Sequence, residues 1–218
     1  NNTAVGYLAL FENTTGTRNT AVGTYALDSN TTDNDNTAVG YAALSGITTA
    51  NECTAIGSEA GISNTTGDRL TAVGYKAGES NTTGVFNTCV GAYALPANTN
   101  GQKNVAMGRN ALRFNTSGST NTAIGEQALT SNTTASHNVG IGHYALFNNT
   151  TGTYNTGIGV YSLDSNTTGA GNTAVGYRSL DGNTTASSNT AVGKESLRDC
   201  STGQNNTSVG EESSLNCT

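Results

Sequence analysis

Gly6, Gly23, Gly40, Gly57, Gly74, Gly91, Gly108, Gly125, Gly142, Gly159, Gly176, Gly193 and Gly210 recur every 17 residues, with no insertion or deletion between them. A strict period of this kind marks a repeat architecture, in which each unit stacks on its neighbours. Counted from Asn2, the turn reads N-T-A-V-G-Y-x-A-L-x-x-N-T-T-G-x-x. Position 4 is Val, Ile or Met throughout, from Val5 to Val209, and position 9 is usually Leu, as at Leu10, Leu27 and Leu129. Position 3 is always small: mostly Ala, with Cys89, Gly140, Gly157 and Ser208 as variants. A unit this short cannot hold the two helices of a helical repeat, which needs roughly 33 residues. β-Branched Thr and Val, with Gly and Asn at fixed offsets, also resist helix. Short strands bounded by Gly and Asn turns fit instead, with T-A-V as one strand and A-L and N-T-T as candidate second and third segments. The period predicts an all-β chain, a parallel β-solenoid or β-roll of about 13 turns of 17 residues. Turns stacked at the strand spacing of about 4.8 Å would make a rod on the order of 60 Å long.

Composition alone points elsewhere. Hydrophobic residues make up 34% of the chain, below the usual share for a globular domain. Disordered chains, however, pair low hydrophobicity with strong charge, and here charged residues are 11% and the net charge is −6. Small uncharged residues can be ordered when a repeating backbone ladder holds them. The acidic balance offers no basic stripe for nucleic acid. No long apolar run or basic amphipathic helix suits a membrane, and no signal-like segment opens the chain.

Stacking predicts ladders. Asn opens eleven of the thirteen turns, Cys53 and Leu70 being the exceptions, and in register these amides can hydrogen-bond along the stack. At position 2, Val105 and Val139 replace Thr, and an apolar substitute suggests that this position faces inward together with position 4. Strand side chains alternate, so position 3 and the Gly would then point the other way. Uniformly small residues on that outer side imply that a neighbouring chain covers it, which favours an oligomer.

The N-T-A-V-G unit followed by A-L and N-T-T-G resembles repeats of bacteriophage tail-fibre-like proteins. It is also similar to the S-V-A-I-G repeats in the head domains of trimeric autotransporter adhesins, and the resemblance spans residues 2–218. It implies a left-handed parallel β-roll, three chains side by side, displayed outside the cell or on a virion for attachment. The adhesin repeat is shorter, so the longer unit here leaves room for an extra corner.

Several residues look like sites. Gly140-Ile141-Gly142-His143-Tyr144-Ala145 matches the dinucleotide fingerprint, which works only between a strand and a helix; here it is the repeat consensus with Gly at position 3. His137 and His143 lack zinc or triad spacing. Asp33 and Asp35 begin a calcium-loop pattern without its Gly and closing Glu, and surface turns account for them better. No catalytic, cofactor or metal residue is therefore assigned. Cys200 and Cys217 share one repeat position in adjacent turns, and a spacing of about 4.8 Å suits a disulfide. Cys53 and Cys89 occupy unrelated positions, Cys89 standing in for Ala. Asn13, Asn30, Asn64, Asn81, Asn115, Asn132, Asn149, Asn166 and Asn183 each begin an N-x-T or N-x-S sequon at position 12. They are either N-glycan acceptors lining one edge or a second Asn ladder. Eight of nine tyrosines (Tyr7, Tyr25, Tyr41, Tyr75, Tyr93, Tyr144, Tyr161 and Tyr177) follow the invariant Gly, where rings can pack the corner or stack on sugars.

The expected function is a structural and adhesive extracellular fibre segment, a single array over residues 1–218 continuing into a longer fibre or stacking end to end. Its partners would be further copies of itself, as a homotrimer or end-to-end polymer, and a carbohydrate or cell-surface receptor. The alternatives are a ladder-based surface binder, ice-binding being the sharpest version, and a glycan-coated structural fibril. Solenoid enzymes build clefts from loops that interrupt the turns, and no turn here carries an insertion.

Overall fold

The computed structural model describes residues 1–214. The chain forms two units, Asn1–Arg109 and Asn110–Thr218. In the first, β1 (Thr3–Val5), β2 (Thr20–Val22), β3 (Thr37–Val39), β4 (Thr54–Ile56), β5 (Thr71–Val73), β6 (Thr88–Val90) and β7 (Val105–Met107) stack in sequence order. In the second, β8 (Thr122–Ile124), β9 (Val139–Ile141), β10 (Thr156–Ile158), β11 (Thr173–Val175), β12 (Thr190–Val192) and β13 (Thr207–Val209) do the same. Every pairing is parallel and pairs residues one 17-residue period apart, as in Thr20↔Thr37 and Thr156↔Thr173. Each unit is thus a parallel β-solenoid, as the period predicts. Among the described residues only T-A-V and its equivalents are strand; A-L lies in a turn and N-T-T in a bend.

The turn owes its shape to left-handed backbone. The invariant Gly has φ near +135°, and a Cβ on Gly142 would sit 2.6 Å from the carbonyl oxygen of Gly159. Backbone therefore stacks on backbone at this corner, which only Gly allows. Positions 7, 9 and 17 are also left-handed, and they are mostly not Gly: Tyr25 has φ 60°, Leu27 φ 51° and Arg18 φ 60°. A left-handed Leu costs about 1–2 kcal/mol. Full burial of a Leu side chain returns about 1.5–3 kcal/mol, and Leu129 is both fully buried and bonded, N–H to Ala145 O, at 3.0 Å. Burial and the inter-turn hydrogen bond together outweigh the strain.

The strand faces are the reverse of the expectation from Val105 and Val139. Position 3 points inward: Ala21, Ala38, Ala123 and Ala174 are fully buried, while Thr and Val on either side stay partly exposed. The small residue is required by the chain's own narrow interior, and no neighbouring chain is needed to explain it. Even Gly140 leaves little room, since its Cβ would lie 3.2 Å from Leu129 Cγ. Val at position 2 misled because an apolar side chain on an open strand face is no sign of burial.

Ala at positions 3 and 8, Leu at position 9 and two columns of Asn fill the interior. At position 1, Asn36 N–H donates to Asn19 Oδ1 at 2.9 Å and Asn36 Nδ2 donates to Ala50 O at 2.9 Å. Asn155 repeats the pattern in the second unit, to Asn138 Oδ1 at 2.9 Å and Gly169 O at 2.7 Å. Each amide satisfies a backbone group that would otherwise be stranded in the core. Outside, Thr at position 13 donates its hydroxyl to the next turn's carbonyl, as from Thr150 to Thr167 O at 3.0 Å.

One stretch exchanges this polar filling for an apolar plug. Gly61 and Gly78 stand where other turns carry Leu, and Ile47, Cys53 and Leu70 stand where others carry Asn. The changes compensate one another. A Cβ on Gly61 would lie 3.0 Å from both Leu44 Cδ2 and Leu70 Cδ2, and one on Gly78 would lie 3.5 Å from Cys89 Sγ. Leu70 and Cys89 thus occupy the volume that the missing leucines leave.

Candidate functional site

The sequon asparagines are structural. Asn30, Asn64, Asn81, Asn115, Asn132, Asn149, Asn166 and Asn183 are 0% exposed, and Asn13 is half-buried. Asn132 Nδ2 donates to Asn115 Oδ1 at 2.8 Å and to Ala135 O at 3.0 Å; Asn149 Nδ2 in turn reaches Asn132 Oδ1 at 3.1 Å and Gly152 O at 2.9 Å. In the first unit Asn30 Nδ2 bonds Asn13 Oδ1 at 3.0 Å. In the eight fully buried asparagines the amide is enclosed within this ladder, which leaves no room for a glycan in the folded chain. Of the two readings of these positions, N-glycan acceptors or a second Asn ladder, this geometry favours the ladder. Its breaks are informative. Asn30 Oδ1 and Asn183 Oδ1 are buried without a partner because the next turns supply Ile47 and Cys200 in place of a donating Asn.

Cys200 is buried and disulfide-bonded. The partner expected for it, Cys217, lies outside the described residues. Cys53 and Cys89 are free and fully buried. Burial pushes the Cys53 thiol up to about 11 and the Cys89 thiol up to about 12, so neither is a ready nucleophile.

The other candidates resolve into packing. Gly140 lies within β9 and Gly142 closes it, and a turn follows in place of the helix that a dinucleotide site requires. His137 stacks on Tyr154 at 4.9 Å, and His143 meets Tyr144 and Tyr161 edge-on. Asp35 pairs with Arg18, Nε to Oδ1 at 2.6 Å, and this holds its carboxyl below the usual range. Asp33 is buried instead, and desolvation pushes its carboxyl up, with the Asp68 charge adding to the shift. Among the described residues no group of three or more His, Cys, Asp or Glu could hold a metal.

Tyrosines pack against one another along the corner. Tyr25 meets Tyr7 at 5.7 Å and Tyr41 at 6.1 Å edge-to-face, and Tyr75 meets Tyr93 at 5.3 Å. In the second unit Tyr144 stacks on Tyr161 at 5.5 Å and touches Phe147 at 4.7 Å. Such pairs contribute about 0.5–1.5 kcal/mol each beyond area.

Sequence reasoning missed a carboxyl pair. Asp164 and Asp181 hold position 10 of adjacent turns, with Arg178 Nε donating to Asp181 Oδ2 at 2.6 Å. Desolvation and the Asp181 carboxyl push Asp164 up to about 7. The 17-residue spacing was the available signal.

Two outward surfaces remain. At position 14 every described residue is exposed and is Thr, Ser117 or Asn100. On the strands, positions 2 and 4 present Thr and an aliphatic side by side, and no charged residue falls at either position in any turn. Lys, Arg, Asp and Glu sit on the corners, chiefly at positions 6, 7, 10, 11 and 17. Comparison of the chain with protein-family models, curated proteins and solved structures returns no match.

Proposed function

We propose that the chain is a structural and adhesive segment of an extracellular fibre, carried on a cell or virion surface. The observation that carries this reading is where the turns differ from one another. Interior positions repeat with few exceptions, whereas the outward corners at positions 6, 11 and 17 hold Tyr, Arg, Lys, Glu, Asp, Ser and Phe in no fixed pattern. A scaffold of this kind keeps its ladder and spends its diversity on display. Each turn binds only its neighbours, so length is free to vary, as a shaft requires. Carbohydrate or a surface receptor would be met by the mixed aromatic and charged corners.

Electron microscopy of the native particle, at a resolution that shows the chain in cross-section, tests the reading. Fibres containing this solenoid and projecting from a surface support it. Isolated, non-fibrous single chains in native material refute it. Binding of the purified chain to cells or glycans, lost on replacing corner residues such as Tyr177, tests the adhesive part.

A further inference from the structure

The tyrosine corner carries an inference that packing alone does not require. Positions 6 and 7 hold eight of the nine tyrosines, whereas all four phenylalanines stand at other positions. Phe would pack the corner as well, so the phenol itself calls for an account. The rings meet between successive turns. Tyr25 lies 5.7 Å from Tyr7 and 6.1 Å from Tyr41, and Tyr93 lies 5.3 Å from Tyr75. Tyr161 and Tyr177 repeat the arrangement in the second unit at 6.5 Å. Centroids at these separations put ring edges in contact. Tyr75 and Tyr93 also share a phenolic hydrogen bond, which brings their hydroxyl-bearing edges together. In each of these contacts one ring is exposed, at Tyr7, Tyr41, Tyr75 or Tyr177, and the other is half-buried. An agent in solution can thus reach one ring of a pair whose second ring is already in place. Among the described residues the other oxidisable groups are withdrawn. The chain has no Trp, Cys53 and Cys89 are fully buried, and Cys200 is already in a disulfide. Met107, the single methionine, takes up an oxygen atom and forms no ring radical.

We propose that these pairs are sites of oxidative coupling, at which a peroxide-dependent one-electron oxidant joins tyrosines of successive turns into dityrosine staples. The oxidant removes one electron and one proton from each phenol. The two phenoxyl radicals then form a carbon–carbon bond between their ortho positions, and each ortho hydrogen moves to its own phenol oxygen. For each staple one hydrogen peroxide is reduced to two waters, and the chain loses two hydrogen atoms. The ladder makes this step effectively unimolecular, because the stacked turns hold both rings in contact before the oxidant arrives. Its consequence is mechanical. A solenoid turn is held by its neighbours alone and opens locally, and a staple ties one turn covalently to the next.

The test treats the full chain with a haem peroxidase and hydrogen peroxide, then digests it with trypsin for mass spectrometry. Lys76 separates Tyr75 from Tyr93, so their staple appears as two joined peptides, together lighter by two hydrogens. A partner held in place acts at a millimolar effective concentration or above. With the chain at about 1 µM, links within a chain should therefore outnumber links between chains about 1,000-fold. Tyr93→Phe keeps the ring and its packing but cannot form a phenoxyl radical. It should abolish the link to Tyr75 and leave the link of Tyr7 to Tyr25, which joins peptides on either side of Arg18. Tyr154 is as exposed as Tyr7 but stands at position 17, stacked on His137, and it should stay unlinked. Amide exchange between Tyr75 and Tyr93 should slow about 10-fold or more after coupling, as expected of a cross-link that closes a loop of about one period. The proposal is overturned by a native chain that yields no joined peptides while free tyrosine couples in the same mixture. Links through Tyr154 as the main product, a peptide map unchanged by Tyr93→Phe, or unchanged exchange in the coupled chain would overturn it equally. Failure here leaves the fibre reading standing, because that reading needs display at the corners and no coupling.

Discussion

Replacing Asn132 with Ala tests the interior ladder most directly. The side chain is fully buried and takes part in three hydrogen bonds: Nδ2 to Asn115 Oδ1 at 2.8 Å, Nδ2 to Ala135 O at 3.0 Å, and Oδ1 from Asn149 Nδ2 at 3.1 Å. Ala135 O keeps the bond from Asn121 Nδ2 at 2.8 Å, and Asn149 Nδ2 keeps Gly152 O at 2.9 Å, so the loss is partial for those two groups. Three net bonds at about 0.5–1.5 kcal/mol each, with a small cavity added, put the cost of Asn132→Ala at about 2–5 kcal/mol. Asn132→Asp should cost more at neutral pH, because carboxylate oxygens would face Asn115 Oδ1 and Ala135 O. Acid should relieve part of that penalty by restoring one donor. Thr134→Ala, two residues on but exposed, should stay within about 0.5 kcal/mol. Solenoids unfold turn by turn as readily as all at once, so denaturant melts should be read with hydrogen exchange of the turns around residues 115–149. A cost below about 1 kcal/mol for Asn132→Ala, or equal effects of Asn132→Ala and Thr134→Ala, would refute the ladder as a source of stability.

Gly61→Leu should destabilise by about 1–3 kcal/mol, because its Cβ already falls 3.0 Å from Leu44 and Leu70 side-chain carbons. Adding Leu70→Asn should recover most of that loss, a coupling that a double-mutant cycle in denaturant would measure. Asp164 titrates near 7 in the fold against about 3.9 in an unfolded chain, so its contribution is complete below about pH 4 and fades as pH rises through 7. Melts of the second unit should therefore weaken between about pH 4 and 7 by a component that Asp164→Asn abolishes; identical pH profiles for both proteins would count against the carboxyl pair. Cys53 and Cys89 should resist alkylation in the native chain and react once it is unfolded, as quantified by mass spectrometry.

The period made the architecture legible, and the local conformations were hidden for a physical reason. A Gly every 17 residues, with β-branched residues just before it, leaves little besides a stacked parallel ladder. Asn at position 1 also announced its ladder, since an uncharged amide repeated in register has a partner one turn away. The direction of the strand could not be read from Val105 and Val139, because a substitution between Thr and Val is tolerated on an open face as well as in a core. Uniformly small position 3 was the better signal: a solenoid this narrow leaves its own interior no room for more than Ala. Leu27, Leu44 and Leu129 at φ 51–52° were invisible for the converse reason, since propensity places Gly or Asn at left-handed sites. Gly61 and Gly78 take that conformation in the same column, so two of the repeats carried the answer.

The sequons show how a surface motif and a core requirement can share the same letters. Asn at position 12 needs both amide hydrogens, one for the preceding turn's Oδ1 and one for the carbonyl three residues ahead, as Asn81 does with Asn64 Oδ1 at 2.8 Å and Gly84 O at 2.9 Å. Thr at position 13 supplies a hydroxyl to the next turn, as Thr82 does to Thr99 O at 2.8 Å. Position 14 then completes an N-T-T string without any structural demand for glycan. Where the Asn is replaced, by Ile47 or Cys200, the preceding Oδ1 is left without a donor. Those two sites lose hydrogen bonding and gain apolar burial, or in the case of Cys200 a covalent bond. Converting Ile47 to Asn should therefore return the donor to Asn30 Oδ1, about 1–3 kcal/mol in favour, while forfeiting about 1.5–3 kcal/mol of buried Ile. The two nearly cancel, and a measured change within about 1.5 kcal/mol of zero is expected in denaturant melts. A loss well beyond that would mean that the apolar plug around Leu70 and Cys53 is stabilised cooperatively, and that the polar and apolar fillings of this solenoid cannot be exchanged one residue at a time.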